Sequence, residues 1–204
     1  MRLVAIFLLA LAPHLAEASN FVVVKLSRGV ELQLPKGWWV LSEQQNQVID
    51  MAAEAAIDIS EIEVVAGAEV NLITAASMPR TTYAAVRVDS IIPVSSSPSH
   101  ISNLTSSDMH SVEAEIQSNL QKLLPFQGNY LLTFSGVRRV TVSGHPTLIT
   151  EYRRSGSKGP VLVSIVQVFT PNQDVRISFS YRESEQAIWK SIIEKIYKSI
   201  IIRQ

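Results

Sequence analysis

The stretch from residue 130 to residue 181 limits the possible folds of this chain more than any other feature. It contains five apolar or alternating segments, separated by short runs rich in Gly, Pro, Ser and Asn, which favour turns. Strands that follow one another through short turns pair antiparallel, so the stretch predicts an antiparallel sheet. The five predicted strands are Tyr130–Phe134, Val137–Val142, Thr147–Arg153, Val161–Phe169 and Val175–Tyr181.

Helices are indicated by apolar residues that recur at three- and four-residue spacing. One begins after the N-cap Thr105, with Asp108 at the capping-box position, and ends at Pro125. A second closes the chain, from about Ser184 to Ser199. A third is predicted from Ser42 to about Ala56, because a serine N-cap precedes a helical apolar pattern.

The N-terminal half adds shorter strands. Alternation and turn residues predict strands at Phe21–Leu26, Val30–Leu34, Trp38–Leu41, Glu69–Ser77 and Tyr83–Ile92. Residues 57–68 fit either a helix or a strand, and residues 93–103 are typical of a loop. We interpret Trp38 and Trp39 as packing residues, since aromatic side chains bury large areas in protein cores.

Strands and helices are segregated along the chain, which indicates an α+β domain. We predict an antiparallel β-sheet of about six or seven strands flanked by helices. The segment Val161–Phe169 is apolar on both sides, so both faces of the sheet are expected to be covered. No repeat or linker interrupts the pattern, and residues 19–204 are expected to form a single α+β domain.

The first eighteen residues have the pattern of a cleavable signal peptide. Arg2 supplies the positive charge, Leu3 to Ala12 form the apolar region, and Ala16-Glu17-Ala18 places small residues where a signal peptidase cleaves. The apolar run is shorter than the ~20 residues that span a bilayer. We therefore expect export, cleavage after Ala18, and a mature protein that is periplasmic or secreted.

Composition narrows the possible partners. The 204 residues include 18 basic and 18 acidic side chains, and this balance argues against general binding to nucleic acid or anionic membranes. The chain has no cysteine, so neither disulfides nor a lipid-anchored cysteine is available after export. No later apolar run reaches spanning length, and we expect no membrane span after signal cleavage.

Three parts of the sequence together resemble a known family. They are the segment VELQLPKGWWV (residues 30–40), the mid-chain helix, and the C-terminal run that starts at GHPTLITEYRR (residues 144–154) and ends in the helix at WKSIIEKIYKSI (residues 189–200). The pattern looks like the PsbP-like superfamily of small α/β/α sandwiches. That group includes an extrinsic photosystem subunit, a nuclear-import factor that binds Ran, and uncharacterised bacterial periplasmic proteins. The resemblance implies a protein-binding scaffold and assigns no catalytic residues.

The histidines of the expected mature chain do not form a convincing site. Asp108 and His110 lie two residues apart on one helix and point in different directions, and a metal ion needs three or more converging ligands. His100 lies upstream, and His145 sits in a tight turn. We predict no catalytic, cofactor-binding or metal-binding residues and no cofactor.

Two further features have simple structural interpretations. Residues 155–159 (SGSKG) resemble a phosphate loop but lack its spacing and precede a strand, so they favour a hairpin loop. Six arginines on neighbouring strands suggest either an anion-binding patch or solvated ion pairs with Glu151, Glu183 and Glu185, and we favour the ion pairs. The arginines are Arg138, Arg139, Arg153, Arg154, Arg176 and Arg182.

These observations favour an exported, non-catalytic domain that binds an unknown protein or small ligand. Two alternatives remain. An extracytoplasmic enzyme would need a pocket that brings His110 or His145 together with carboxylates. A carrier of apolar small molecules or lipids would need an apolar cavity between the sheet and its helices.

Overall fold

The computed structural model describes residues 20–42 and 68–203. The signal peptide that ends at Ala18 and the helix predicted after Ser42 fall on residues outside these ranges. The ambiguous segment 57–68 also lies outside them, except for Ala68, which begins a strand.

Strands outnumber helices in the described chain. In order, the elements are β1 (Phe21–Lys25), β2 (Val30–Pro35), β3 (Trp39–Ser42), β4 (Ala68–Ala76), β5 (Ala84–Ile92), α1 (Pro98–Ser102), α2 (Ser106–Leu123), β6 (Leu131–Val142), β7 (His145–Arg154), β8 (Val161–Phe169), β9 (Asp174–Arg182), α3 (Gln186–Lys198) and β10 (Ile201–Ile202).

These strands form two antiparallel sheets. The large sheet has seven strands in the order β3-β4-β5-β9-β8-β7-β6, and the small sheet has three in the order β1-β2-β10. Every pair of neighbours in both sheets is antiparallel. This confirms the predicted α+β fold with an antiparallel sheet of about seven strands and flanking helices.

Two local expectations were wrong. The predicted strands Tyr130–Phe134 and Val137–Val142 are one strand, β6, because a bulge at Phe134/Gly136 absorbs the break in alternation without ending the pairing with β7. The predicted loop 93–103 contains the short helix α1, which is capped by the Ser97 side chain and has Pro98 in its first turn.

One face of the large sheet packs against α3 and the small sheet. The α3 residues Ile193 and Ile196 are buried here. From the sheet, Ile177 and Phe179 of β9 and Val166 of β8 join the same core cluster. The small sheet contributes alternate residues of β2, which are fully buried: Val30, Leu32 and Leu34.

The opposite face packs against α2 over β6, β7 and β8. Val163 of β8 and Tyr152 of β7 are buried there beside Leu120, near the end of α2. Strand β8 therefore has a cover on both faces, as its two-sided apolar pattern predicts. The Thr105–Asp108 capping box at the start of α2 is also present.

The two tryptophans differ in their surroundings. Trp38 packs edge-to-face on Trp189 of α3, with 5.9 Å between the ring centroids, as expected for a packing residue. Trp39 is partly exposed, and the Arg80 guanidinium lies 5.6 Å from the centre of its ring.

The last residues of the chain close over the turn between β1 and β2. The Arg203 N–H donates to the Gly29 carbonyl at 2.9 Å, and Ile201 of β10 pairs with Glu31 of β2. Gly29 has φ +74°, a conformation that favours glycine, and a Cβ at this position would clash with the Arg203 carbonyl oxygen. The turn and the C-terminal segment therefore depend on each other.

We expect Gly29→Ala to destabilise the protein more than the matched control Gly37→Ala. Gly37 has a similar φ of +82° but open space around it, so its variant loses about 1 kcal/mol for the left-handed backbone alone. Gly29→Ala should lose about 1–3 kcal/mol more, because the Arg203 backbone must move. Urea unfolding measures both variants, and equal losses would contradict the close contact.

Candidate functional site

A polar cleft of about 470 Å³ opens at one end of the large sheet. Its walls are residues 127–129, which follow α2, and residues 154–159, which form the end of β7 and the loop before β8. Tyr83, Val161 and Arg182 complete the lining. We call this feature the basic cleft, because its charged lining residues are Arg154, Lys158 and Arg182.

Strand register brings two of these arginines together. Val161 of β8 pairs with Arg154 of β7 on one side and with Arg182 of β9 on the other. Directly paired residues share a face of the sheet, so Arg154, Val161 and Arg182 form one row across three strands. The row lies at the end of the sheet, where the loops provide the walls.

Two hydrogen bonds hold the two walls of the basic cleft against each other. The Tyr130 N–H donates to Ser155 Oγ at 2.8 Å, and the Ser155 N–H donates to the Tyr130 carbonyl at 2.9 Å. The turn before Tyr130 closes through Gly128, whose φ of +69° is left-handed and whose N–H donates to the Pro125 carbonyl. The walls of the basic cleft are therefore preformed.

The Arg154 guanidinium is held by neutral groups. Its Nη1 donates to Asn129 Oδ1 at 2.9 Å and to the Ser155 carbonyl at 3.0 Å. Within the described ranges, no carboxylate forms an ion pair with Arg154 or with Lys158, which is exposed in the loop. The positive charge of Arg154 is thus oriented without being neutralised.

Glu185 joins the floor of the basic cleft to α3. It forms an ion pair with Arg182 and accepts hydrogen bonds from the Tyr83 N–H at 2.8 Å and from Trp189 Nε1 at 2.9 Å. Burial alone would raise the pKa of Glu185. The bonds from Tyr83 and Trp189 and the charges of Arg182 and Lys158 outweigh burial and lower it. Glu185 therefore neutralises Arg182 and leaves two cations.

The other arginines do not gather into one patch. Arg138 lies 3.8 Å from Glu151, Arg153 lies 2.7 Å from Glu183, and Arg176 lies 3.1 Å from Glu69. Arg139 instead donates to the carbonyls of Ile101, Ser102 and Leu104 and so holds α1 against β6. The predicted pairs with Glu151, Glu183 and Glu185 are all present, and Glu69 is a further partner.

The histidines lie apart from the basic cleft. His110 Nδ1 bonds to the Ser106 carbonyl of its own helix at 2.7 Å, and His145 begins β7. The pKa of Asp108 is lowered chiefly by hydrogen bonds from Thr105 and also by the nearby His100. Asp108 is part of the capping box at the start of α2. Across residues 20–42 and 68–203, no group of three or more His, Cys, Asp or Glu side chains could hold a metal ion.

A second depression, of about 320 Å³, lies between α3 and the sheet. Its floor includes Ile149, Val166 and Phe179, whereas charged side chains of α3, β6 and β7 stand around it. Tyr181 lies in the wall of this depression, and burial is the main cause that raises its pKa. The negative charges of Glu194 and Glu151 raise the pKa of Tyr181 further. This is the position that the carrier hypothesis requires, but the lining is amphipathic rather than apolar.

The basic cleft was not predicted from the sequence. Residues 155–159 are predicted to form a hairpin loop, and the structure confirms that they join β7 to β8. That local description is correct but incomplete, because the facing wall comes from residues 127–129. The glycine-rich loop directly follows Arg154 and contains Lys158. This combination is the one signal in the sequence that could have indicated an anion site.

No protein-family model matches the sequence, and no curated protein matches it. The structure resembles the solution structure of cyanobacterial PsbP (CyanoP) from Synechocystis, with a TM-score of 0.54 and 12% sequence identity over 90% of this chain and 93% of that chain. The fold is PsbP-like.

A second solved structure matches with a lower TM-score. It is the crystal structure of PA94, a protein of unknown function from Pseudomonas aeruginosa, with a TM-score of 0.44 and 13% identity over 91% of this chain and 99% of that chain. None of the helices in the described ranges is long and apolar enough to cross a membrane. The PsbP-like fold agrees with the family resemblance noted in the sequence.

We expect Glu185→Gln to weaken the acid dependence of stability. A carboxyl whose pKa is lower in the folded state stabilises the fold above its unfolded pKa, and this contribution is lost as the pH falls through the folded value. Wild-type stability should therefore decline as the pH falls below about 4.5, the ordinary pKa of a glutamate. The variant should be less stable at neutral pH and show a shallower decline.

Urea unfolding at neutral pH and at several acidic values provides the measurement. Glu115→Gln is the matched control, because Glu115 is exposed on α2. It should follow the wild-type profile. An acid profile of Glu185→Gln with the wild-type slope would show that Glu185 does not couple protonation to folding.

Proposed function

We propose that this chain is an exported, non-catalytic interaction domain that binds an acidic group of a protein or small ligand in the basic cleft. The observation that carries the proposal is the preformed 470 Å³ cleft with Arg154 and Lys158, neither of which is paired with a carboxylate among the described residues. A volume of this size accommodates a small ligand or a few side chains.

The chemistry of Arg154 suits an oxyanion. Both hydrogen bonds that the structure shows for its side chain use Nη1, which leaves Nε and Nη2 as donors. A guanidinium offers these donors in a planar fork that matches a carboxylate or a phosphate. Because Asn129 and Ser155 already orient the group, little side-chain entropy is lost on binding.

Binding is a simpler use of the basic cleft than catalysis. Its lining, as described, holds arginine, lysine, tyrosine and amide or hydroxyl groups but no histidine and no carboxylate that could act as a general base. His110 is on α2 and bonds to its own helix. The enzyme alternative would therefore need chemistry from elsewhere in the chain.

Neutral variants of the two cations test the anion site. Titration of the purified chain from residue 19 with inorganic phosphate and with citrate, followed by NMR, should shift the signals of Arg154 and the 155–159 loop. Arg154→Gln and Lys158→Gln should each weaken binding by about tenfold or more, since each removes a charged partner.

Arg176→Gln is the matched control for that titration. Arg176 is also a strand arginine, but it pairs with Glu69 and does not line the basic cleft. Its variant should bind phosphate as the wild type does. Equal weakening by all three variants would indicate a general charge effect and contradict a built site.

The export part of the proposal rests on residues 1–18 and has its own test. When the full chain is expressed in a bacterial host, mass spectrometry of the extracytoplasmic fraction should find a protein that begins at Ser19. Ala18→Tyr should block this cleavage, because signal peptidases require a small residue there. Extracytoplasmic wild-type protein that still begins at Met1 would refute cleavage.

A further inference from the structure

One wall of the basic cleft belongs to a segment that carries several exposed apolar side chains. Four of them lie within ten residues of chain, and we call them the apolar rim: Leu123 (59% exposed), Phe126 (84%), Tyr130 (65%) and Leu132 (46%). Residues 127–129 between them line the basic cleft. Large apolar side chains grouped in this way on a surface mark interaction sites more often than scattered ones do.

The fold does not need these side chains for its own packing. The same segment is anchored by Leu124, which is buried, and by Leu131, and both pack with Tyr152 and Val163. The backbone bonds between Tyr130 and Ser155 hold the segment in place. Phe126 and its neighbours therefore remain in solvent because the core is complete without them.

We propose that the apolar rim and the basic cleft form one docking surface for an extended protein segment in which acidic side chains lie next to large apolar residues. The inference rests on the proposed function and names the class of partner. An acidic side chain of the partner enters the basic cleft and meets Arg154 and Lys158, while apolar side chains cover Phe126 and Tyr130. Aromatic and arginine side chains are the residue types that dominate binding energy at protein interfaces.

A membrane fits this surface less well. Recruitment to anionic lipid relies on clusters of about 4–8 basic residues. Within residues 20–42 and 68–203, the cations near this surface that form no ion pair are Arg154 and Lys158, with Lys122 in the last turn of α2. The whole chain has zero net charge. The cleft is also concave, which suits a side chain better than a flat lipid surface.

A second copy of the chain fits less well for a different reason. A two-fold dimer places the same patch on both sides of the interface. Arg154 and Lys158 of one copy would then approach the same cations of the other, and like charges repel. Charge complementarity therefore favours a different, acidic partner.

Two synthetic peptides test the inference. One carries aspartates interspersed with leucine and tryptophan, and the other has the same aspartates with serine at each apolar position. Fluorescence anisotropy with the chain from residue 19 at low salt should show that the apolar peptide binds about tenfold to a hundredfold more tightly, as burial of one or two large side chains allows. A difference in affinity below about threefold would overturn the docking surface.

Variants of the rim separate its contribution from that of the cations. Phe126→Ser and Leu123→Ser should remove the preference for the apolar peptide while leaving phosphate affinity unchanged. Both side chains are exposed, so the variants are expected to fold, and circular dichroism and urea unfolding verify this. Val23→Ser is the matched control, since Val23 is exposed on β1 of the small sheet, and it should keep the preference.

The outcomes distinguish this inference from the proposed function. If phosphate binds but the two peptides bind alike, the docking surface fails and the anion site stands. If neither phosphate nor either peptide binds, both fail. Phe126-dependent sedimentation with phosphatidylglycerol vesicles, or dimerisation that Phe126→Ser abolishes, would overturn the proposed partner in favour of a membrane or a second copy.

Discussion

The antiparallel pairing of β9 between β5 and β8 is the interaction on which the rest of the molecule depends. Pairing on both edges fixes the strict alternation of β9, so Val175, Ile177 and Phe179 all face one side and are buried. This apolar side is the surface on which α3 rests. The other side of the same strand carries Arg176, the serines and Arg182, and it supplies the polar end where the basic cleft lies.

The basic cleft follows from that pairing in two steps. Register places Arg154 and Arg182 on either side of Val161, so two like charges lie on the same row of the sheet and repel each other. Glu185, at the start of α3, neutralises Arg182, whereas Arg154 is held by the neutral oxygens of Asn129 and Ser155. One arginine is therefore used to stabilise the fold, and the other keeps its charge available at the surface.

Local sequence patterns predict most of the elements because the physics behind them is local. Alternation identifies β9, a continuous apolar run identifies β8, and the Thr105 capping box identifies the start of α2. The exceptions have local causes too. The bulge in β6 breaks the period of two without breaking the strand, and α1 is a short helix in a serine-rich segment that resembles a loop.

The class of fold follows from local sequence patterns, because alternation with short turns permits little except an antiparallel sheet with helices on its faces. The PsbP-like resemblance is also visible in the sequence, since it is a pattern of elements rather than of site residues. Only the tertiary structure shows that, among the described residues, Arg154 has no carboxylate partner and lies in an open cleft. Its contact with Asn129 joins residues far apart in sequence, and no periodicity specifies it.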